Sequence, residues 1–503
     1  MKLSRIAAAA ALIGLVAPLG ACGDLTGLNN NHNSPTDVPP GPLFTNAARG
    51  LVARFRGANF DLTMTSLFAE HFAKVQYVDE DQYNLRTQTI DTHFGSPYSG
   101  ELKDLEVVAD KGMESGKADV YGPARIMQTW AFDIMTDTWG DIPYSQALKG
   151  DKEDGSILPA YDPQQEIYNG FFTVLQSAAT DLESATSSSL GGADPIYNGD
   201  PAQWQKFANS LHARLALRIV NADPAKANAE LTAAFAAPGG LMLSNDDNAK
   251  LVWPGDGIND NPWASNFQTR DDHRIAKPLA DTLNALNDPR IAVYAQPIEA
   301  DTVTDRYAGL QNGLSTAVAG TFFTTTSRPG AIFYSGATAY GTFGTSANAK
   351  TPSYLMVYAE VAFIQAEAAE RGLGGLNASQ AKGFYDAGIE ASMEQWGITD
   401  PAVISAYLGQ AGVAYQGGAA GLKQIGLQKW IALFTQGSEA WAEYRRTGNP
   451  STLQPGPAAI ETTIPRRVFY SGQEQSTNGA NLAAAVARQG ADEFTTRVWW
   501  DKQ

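Results

Sequence analysis

Asp-Pro steps recur along the chain, and four of them stand where a helix is expected to begin: Asp162-Pro163, Asp200-Pro201, Asp223-Pro224 and Asp400-Pro401. The pairing has a physical logic. An Asp carboxylate accepts hydrogen bonds from the open N–H groups of a first helical turn. Pro fits the first helical position because it has no N–H to leave orphaned. After Asp162-Pro163, Gln165 sits where a capping box wants Glu or Gln, and Ile167, Phe171, Val174, Ala178 and Leu182 follow at helical spacing. After Asp200-Pro201 the apolar stripe is Trp204, Phe207, Ala208, Leu211, Leu215 and Ile219. The same periodicity predicts helices over 125–139, 354–371 (ended by Gly372), 379–396 and 422–444.

Small Ala and Gly residues lie on the contact faces of these stretches, which points to close antiparallel helix pairs. The packing expected is tetratricopeptide-like, although no strict repeat of about 34 residues is visible. The predicted fold class is therefore mainly α: a helical body with tetratricopeptide-like helix pairs, long loop-rich insertions and a few short strands. The insertions fall at about 238–275, rich in Asn, Asp, Gly and Pro, and at about 300–350, rich in Thr, Gly, Ser and Tyr. Thr321-Phe322-Phe323 reads as one of the short strands. Long irregular segments on a rigid body are where binding residues concentrate.

Composition narrows the function. The chain has 503 residues, 36 Lys plus Arg and 53 Asp plus Glu, for a formal charge of −17. That balance excludes a general nucleic-acid binder, which needs cations to displace phosphate counterions. One cysteine among 503 residues excludes a disulfide framework and any multi-cysteine metal site.

That cysteine is placed with purpose. Lys2 and Arg5 precede an uncharged apolar run from Ile6 to Val16, then Leu19-Gly20-Ala21 and Cys22. The run is too short to span a bilayer, which takes ~20 residues, and it has the layout of a secretory signal. Cys22 directly after Leu-Gly-Ala is the pattern of a bacterial lipoprotein signal, in which that cysteine is acylated and becomes the first residue. Residues 1–21 are read as the signal peptide, 22–42 as acylated cysteine and tether, and 43–503 as a single domain. Removing Lys2 and Arg5 leaves 34 − 53 = −19 on the mature chain.

No catalytic constellation stands out. His32, His71, His93, His212 and His273 form no H-E-x-x-H motif, and neither a phosphate loop nor a G-x-G-x-x-G fingerprint occurs. Gly313-Leu314-Ser315-Thr316-Ala317 lacks the closing Gly of a nucleophile elbow. Glu360 and Glu367, seven apart on one helical face, read as a helix surface or a buried hydrogen-bonded pair rather than a glycosidase dyad. Asp271-Asp272-His273 reads as a solvated loop that caps a helix. No catalytic residue, metal ligand set or cofactor is assigned, although oxygens in 245–248 and 256–261 could serve a structural calcium ion. Aromatic residues in polar stretches are the better binding candidates: Tyr77, Tyr83, Phe94 and Tyr98, then Trp253, Trp263 and Phe267 with Arg270. A flat exposed ring stacks on a sugar or accepts a peptide side chain. The competing reading of each ring is a plug that anchors its own loop to the helices.

Several segments, in order, resemble the SusD/RagB family of outer-membrane lipoproteins. They are Trp139-Gly140-Asp141-Ile142-Pro143-Tyr144-Ser145-Gln146-Ala147, Tyr161-Asp162-Pro163-Gln164, Tyr197-Asn198-Gly199-Asp200 with Trp204 and Phe207-Ala208-Asn209-Ser210-Leu211, Ala359-Glu360 with Ala366-Glu367-Ala368, and Trp441-Ala442-Glu443-Tyr444-Arg445-Arg446 with Pro465-Arg466-Arg467. The resemblance covers essentially the mature chain. It implies a nutrient-binding protein, not an enzyme, that captures oligosaccharides or peptides for a SusC-like TonB-dependent outer-membrane transporter. It also implies a place on the outer membrane, facing the cell exterior, held by lipid at Cys22. Gly23-Asp24-Leu25 is a thin version of the family's acidic export tag. No binding residue carries over by motif. The alternatives are a helical-repeat scaffold for an envelope complex and a surface glycan-degrading enzyme.

Overall fold

Three of the four Asp-Pro steps begin helices as expected. In the computed structural model, which describes residues 37–502 apart from 301–303, 305 and 334–347, Asp200 accepts from the Ala202 and Gln203 amides, Asp223 from Lys226 and Asp400 from Ala402. The signal segment, Cys22 and nearly all of the tether lie outside the described residues, as does part of the 300–350 insertion. The fourth step differs. Asp162 pairs with Ile142 in a two-residue strand, and its carboxylate accepts from the Tyr144 and Ser145 amides. The helix starts at Gln164, and the distant Asp141 carboxylate accepts from the Gln164 amide at 2.8 Å.

Pro40–Gln503 forms one compact unit. Its first helix, α1, spans Pro40–Phe55 and so takes in prolines assigned above to the tether, at positions where their missing N–H is harmless. Then come α2 (Thr87–Ser99), α3 (Glu101–Glu114), α4 (Ala118–Trp139), α5 (Gln164–Glu183), α6 (Pro201–Arg218) and α7 (Pro224–Phe235). A short α8 (Pro262–Phe267) and α9 (Lys277–Ala285) lie in the middle of the chain. The second helical half is α10 (Tyr358–Arg371), α11 (Ala378–Gln395), α12 (Pro401–Leu408), α13 (Gly418–Ala432) and α14 (Gly437–Thr447), followed by α15 (Gly472–Thr477) and α16 (Gly479–Gln489). The packed pairs are α3 with α4, α5 with α6, α10 with α11 and α13 with α14. Close approach needs small residues: a Cβ on Gly388 of α11 would lie 2.8 Å from the Phe363 ring of α10.

Two expected helices are divided by their surroundings. Residues 353–356 leave the helical register and form strand β6 (Ser353–Met356) against β4 (Ala249–Leu251), in an antiparallel pair. Asn248 then accepts from the Tyr358 amide at 2.7 Å and starts α10 four residues late. The stretch 422–444 breaks where Thr435 adopts a φ of 73°. The break turns α14 so that Glu439 and Glu443 face inward. Thr321-Phe322-Phe323 forms a tight helical turn rather than a strand. Asp271-Asp272-His273 is not solvated: all three are buried, and His273 opens strand β5 (His273–Ile275).

The interior carries charge as well as hydrocarbon. Arg214 and Arg218, one turn apart on α6, face Glu360 of α10 and Glu439 and Glu443 of α14. Arg214 donates to both Glu360 oxygens at 2.7 and 2.6 Å, and Arg218 to both Glu439 oxygens at 2.6 Å. Arg446 pairs with Glu367 at 2.6 Å and Glu443 at 2.6 Å, and Lys429 reaches Glu443 at 3.2 Å. All eight groups are buried. Glu360 and Glu367 are therefore the buried pair of the two readings given above, each held by an arginine. Burial alone would raise the Glu443 carboxyl; Arg446, Lys429 and Arg218 outweigh it and hold the group well below the ordinary carboxylate value. Removing one member of such a set strands its partner in a dry interior, at about 3–5 kcal/mol.

Candidate ligand-binding site

Strand pairing builds the site. β1 (Phe72–Lys74) runs antiparallel to β5 with Phe72 opposite Ile275 and Lys74 opposite His273. The Val75 amide extends the ladder to the Asp272 carbonyl at 2.8 Å. Tyr77 lies three residues beyond Lys74 and Arg270 three before His273, so the register brings the two together. The Arg270 guanidinium sits 5.2 Å from the centre of the Tyr77 ring. Tyr77 is 56% exposed and has a left-handed φ of 53°. For a residue with a Cβ that conformation costs about 1–2 kcal/mol.

The ring and guanidinium rim a cleft of about 100 Å³ whose walls include Asn59, Thr63, Lys74, Glu80, Arg86, Asn266, Asp272 and His273. Asn59 and Thr63 come from a π-helical segment, Ala58–Thr65, a rare element often found at functional sites. Lys74 bridges Glu80 at 3.0 Å and Asp272 at 3.3 Å, and Arg86 lies 3.6 Å from Glu80. Burial would raise the Asp272 carboxyl, but the His273 ring and the Lys74 ammonium hold it below its ordinary value. Burial pushes the His273 imidazole down against the pull of Asp272, so it is neutral at pH 7. The Asn266 amide nitrogen and His273 Nε2 are buried without a hydrogen-bond partner among the described residues, while His273 Nδ1 lies 3.5 Å from an Asp272 oxygen. A cleft of this kind offers a stacking face, a cation and polar walls.

Of the eight binding candidates read from the sequence, Tyr77 and Arg270 meet at an open cleft, and Phe94 and Tyr98 line another. Five rings are corrected: they are plugs, because hydrocarbon surrounds them. Trp263 is 2% exposed, with ring centres of Phe72 at 5.4 Å and Phe333 at 5.1 Å. Phe267 is buried against His273 and Phe333. Trp253 is buried, and its indole N–H donates to the Ser353 hydroxyl at 2.9 Å. Tyr83 packs on Phe68, and Phe94 on Trp139 and Tyr470. Tyr98 is half-buried and donates to the Pro143 carbonyl at 2.8 Å. The loop tryptophan has a local cause: Asn261 accepts from the Trp263 and Ala264 amides, Pro262 opens α8, and the short helix turns its rings inward.

Two other clefts are larger. One, of about 420 Å³, lies between Tyr98, Lys103, Asp151, Ile157 and Glu474. The other, of about 590 Å³, is lined by Asp141, Gln165, Arg488, Arg497 and Trp499. Three of their cations are committed, Lys103 to Asp151, Arg488 to Asp141 and Arg497 to Asp501, while Lys502 also lines the second cleft. The oxygens considered for calcium are also engaged. Asp247 binds Lys206 and the Leu243 amide, and Asp256 binds the Ile258 and Asn259 amides. Among the described residues no group of three His, Cys, Asp or Glu side chains could hold a metal ion. No helix among the described residues is long and apolar enough to cross a membrane.

Sequence reasoning passed over Asn59, Lys74, Glu80 and Arg86. Their polarity was visible, but only the β1–β5 register shows that they share a wall with 266–273.

Helix pairs that carry an open polar and aromatic cleft describe a binding protein. The family described as "Starch-binding associating with outer membrane" matches residues 32–471, and the chain belongs to this SusD-like family. A solved chitin-binding protein is 25% identical, covering 92% of this chain and 100% of that one, with a TM-score of 0.80. A SusD homologue from Bacteroides uniformis is 28% identical over 93% of this chain and 100% of that one, with a TM-score of 0.78. A chitin-binding SusD homologue from Flavobacterium johnsoniae is 27% identical over 92% of this chain and 97% of that one, with a TM-score of 0.76. Comparison with curated proteins found no match. Family membership places the chain among binding proteins rather than enzymes.

Proposed function

We propose that this chain is a lipid-anchored protein of the outer membrane, facing the cell exterior. It captures oligosaccharides at the Tyr77–Arg270 cleft and passes them to a SusC-like TonB-dependent transporter. The observation that carries the binding reading is the exposed Tyr77 ring, held under Arg270 beside polar walls. The glycan-binding relatives favour a sugar over a peptide. Cys22 carries the lipid, as its place after the signal run suggests. One ring stacked on a sugar contributes about 0.5–1.5 kcal/mol beyond area burial. Micromolar capture needs about 8 kcal/mol, so hydrogen bonds from the polar walls must supply much of the rest. Such affinity suits a protein that must release what it binds.

Titration calorimetry with a panel of oligosaccharides and peptides tests the reading. Binding of at least one oligosaccharide, weakened in Tyr77→Ala, supports it; binding of peptides alone, or of nothing, overturns it. Cys22→Ser is expected to shift the chain from the membrane to the soluble fraction. Affinity purification of the anchored protein is expected to recover a large β-barrel transporter.

A further inference from the structure

We infer that the cleft accepts an acidic oligosaccharide, with the carboxylate of a uronic acid unit held by Arg270. The inference rests on the cleft being the ligand site and concerns only what enters it. The charges around the cleft do not cancel. Lys74 lies between Glu80 and Asp272, and Arg86 is turned to Glu80. Arg270 makes no ion pair among the described residues, and its contact is the Tyr77 ring. Lys74, Arg86 and Arg270 stand against Glu80 and Asp272, so 3 − 2 leaves one positive charge. A positive spot on a chain of formal charge −17 runs against the field of the whole protein.

Size and chemistry agree with a carboxylate. A volume of about 100 Å³ admits a ring substituent rather than a whole sugar ring. A guanidinium presents a planar fork that matches a carboxylate with two parallel N–H···O bonds, which an ammonium does not. With the ring of Tyr77 under the sugar, the substituent reaches Arg270. A neutral glycan would leave Arg270, the cation of the cleft with no ion pair among the described residues, unanswered.

The experiment is titration calorimetry of the mature chain with trigalacturonate, its fully methyl-esterified form, a chito-oligosaccharide and a sulfated oligosaccharide. Wild type, Arg270→Gln, Arg270→Lys and Tyr77→Ala are compared. Trigalacturonate is expected to bind at least about tenfold more tightly than its ester, as a charge-assisted hydrogen bond implies. Arg270→Gln should erase that ratio, and Arg270→Lys should keep only part of it. Equal affinity for acid and ester overturns the inference while leaving a Tyr77-dependent glycan site intact. Tighter binding of the sulfated sugar also overturns it, in favour of a sulfate. Binding of no oligosaccharide overturns both this inference and the function it rests on.

Discussion

The helical spine and the loop-built cleft treat charge in opposite ways. Along α10 and α14, Glu367, Glu439 and Glu443 each face arginines of α6 or α14, and their carboxyls lie below the ordinary value. Beneath the loops of the cleft side, Asp272 keeps Lys74 beside it, but Glu70 and Asp81 have no arginine partner among the described residues. Burial pushes Glu70 up to about 8 and Asp81 up to about 6. Glu70 accepts from the Gln454 amide, and Asp81 from the Lys74 and Gly313 amides. The spine thus uses full charges to lock helices to one another, while the loop sector uses single acceptors to pin segments together. A scaffold and a surface meant to engage a guest are built from the same residue types in different company. Asp133 and Asp137 of α4 are exceptions, both raised by burial, Asp133 further by Asp137.

The comparison breaks most visibly at the spine. Glu443→Ala strands Lys429 and takes one carboxylate from Arg446 and Arg218, and is expected to cost about 3–5 kcal/mol. Urea unfolding monitored by circular dichroism reads the loss; an unchanged midpoint would show that the spine does not hold the helices. Trp263→Ala comes next. As a buried plug it should cost about 3 kcal/mol or more of stability. A platform would instead lose ligand with stability intact, so thermal unfolding beside calorimetry separates the two.

The helices of the spine are legible in the sequence, because Asp-Pro caps and periodic apolar stripes are local signals. The charge lock is half legible. Glu360 and Glu367 can be placed on one face, but their partners Arg214 and Arg446 lie 146 and 79 residues away. The cleft is least legible. Tyr77 and Trp263 look alike in sequence, each a ring in a polar stretch. Only tertiary packing decides that one faces solvent and the other faces Phe72 and Phe333. The same holds for 353–356, where pairing with β4 overrides a helical pattern.

Acidity sharpens the contrast on a smaller scale. Glu70 has a folded pKa above its unfolded one, so folding favours its protonated form. Its contribution is full below the unfolded value of about 4.3 and is lost as pH rises through about 8. Stability should therefore rise as pH falls from 8 toward 5, by at most about 1.4 kcal/mol per pH unit, and Glu70→Gln should flatten that slope. Glu367, Glu439 and Glu443 have the opposite sign. Their contribution is present above about 4.3 and is lost as pH falls further, through their depressed folded values. A pH series of unfolding midpoints checks both limbs; a Glu70→Gln profile identical to wild type would remove Glu70 from the account. Smallest in stability is Tyr77→Ala. An exposed side chain should shift folding by no more than about 0.5 kcal/mol. Its loss should weaken oligosaccharide binding by up to about tenfold.

Hydrogen–deuterium exchange with and without a bound oligosaccharide tests the central claim most directly. Protection confined to 58–65, 72–86 and 266–273, with the α6, α10 and α14 amides unchanged, is the predicted result. Protection centred instead on 147–159 and 472–478, the walls of the larger cleft at Tyr98, would contradict it.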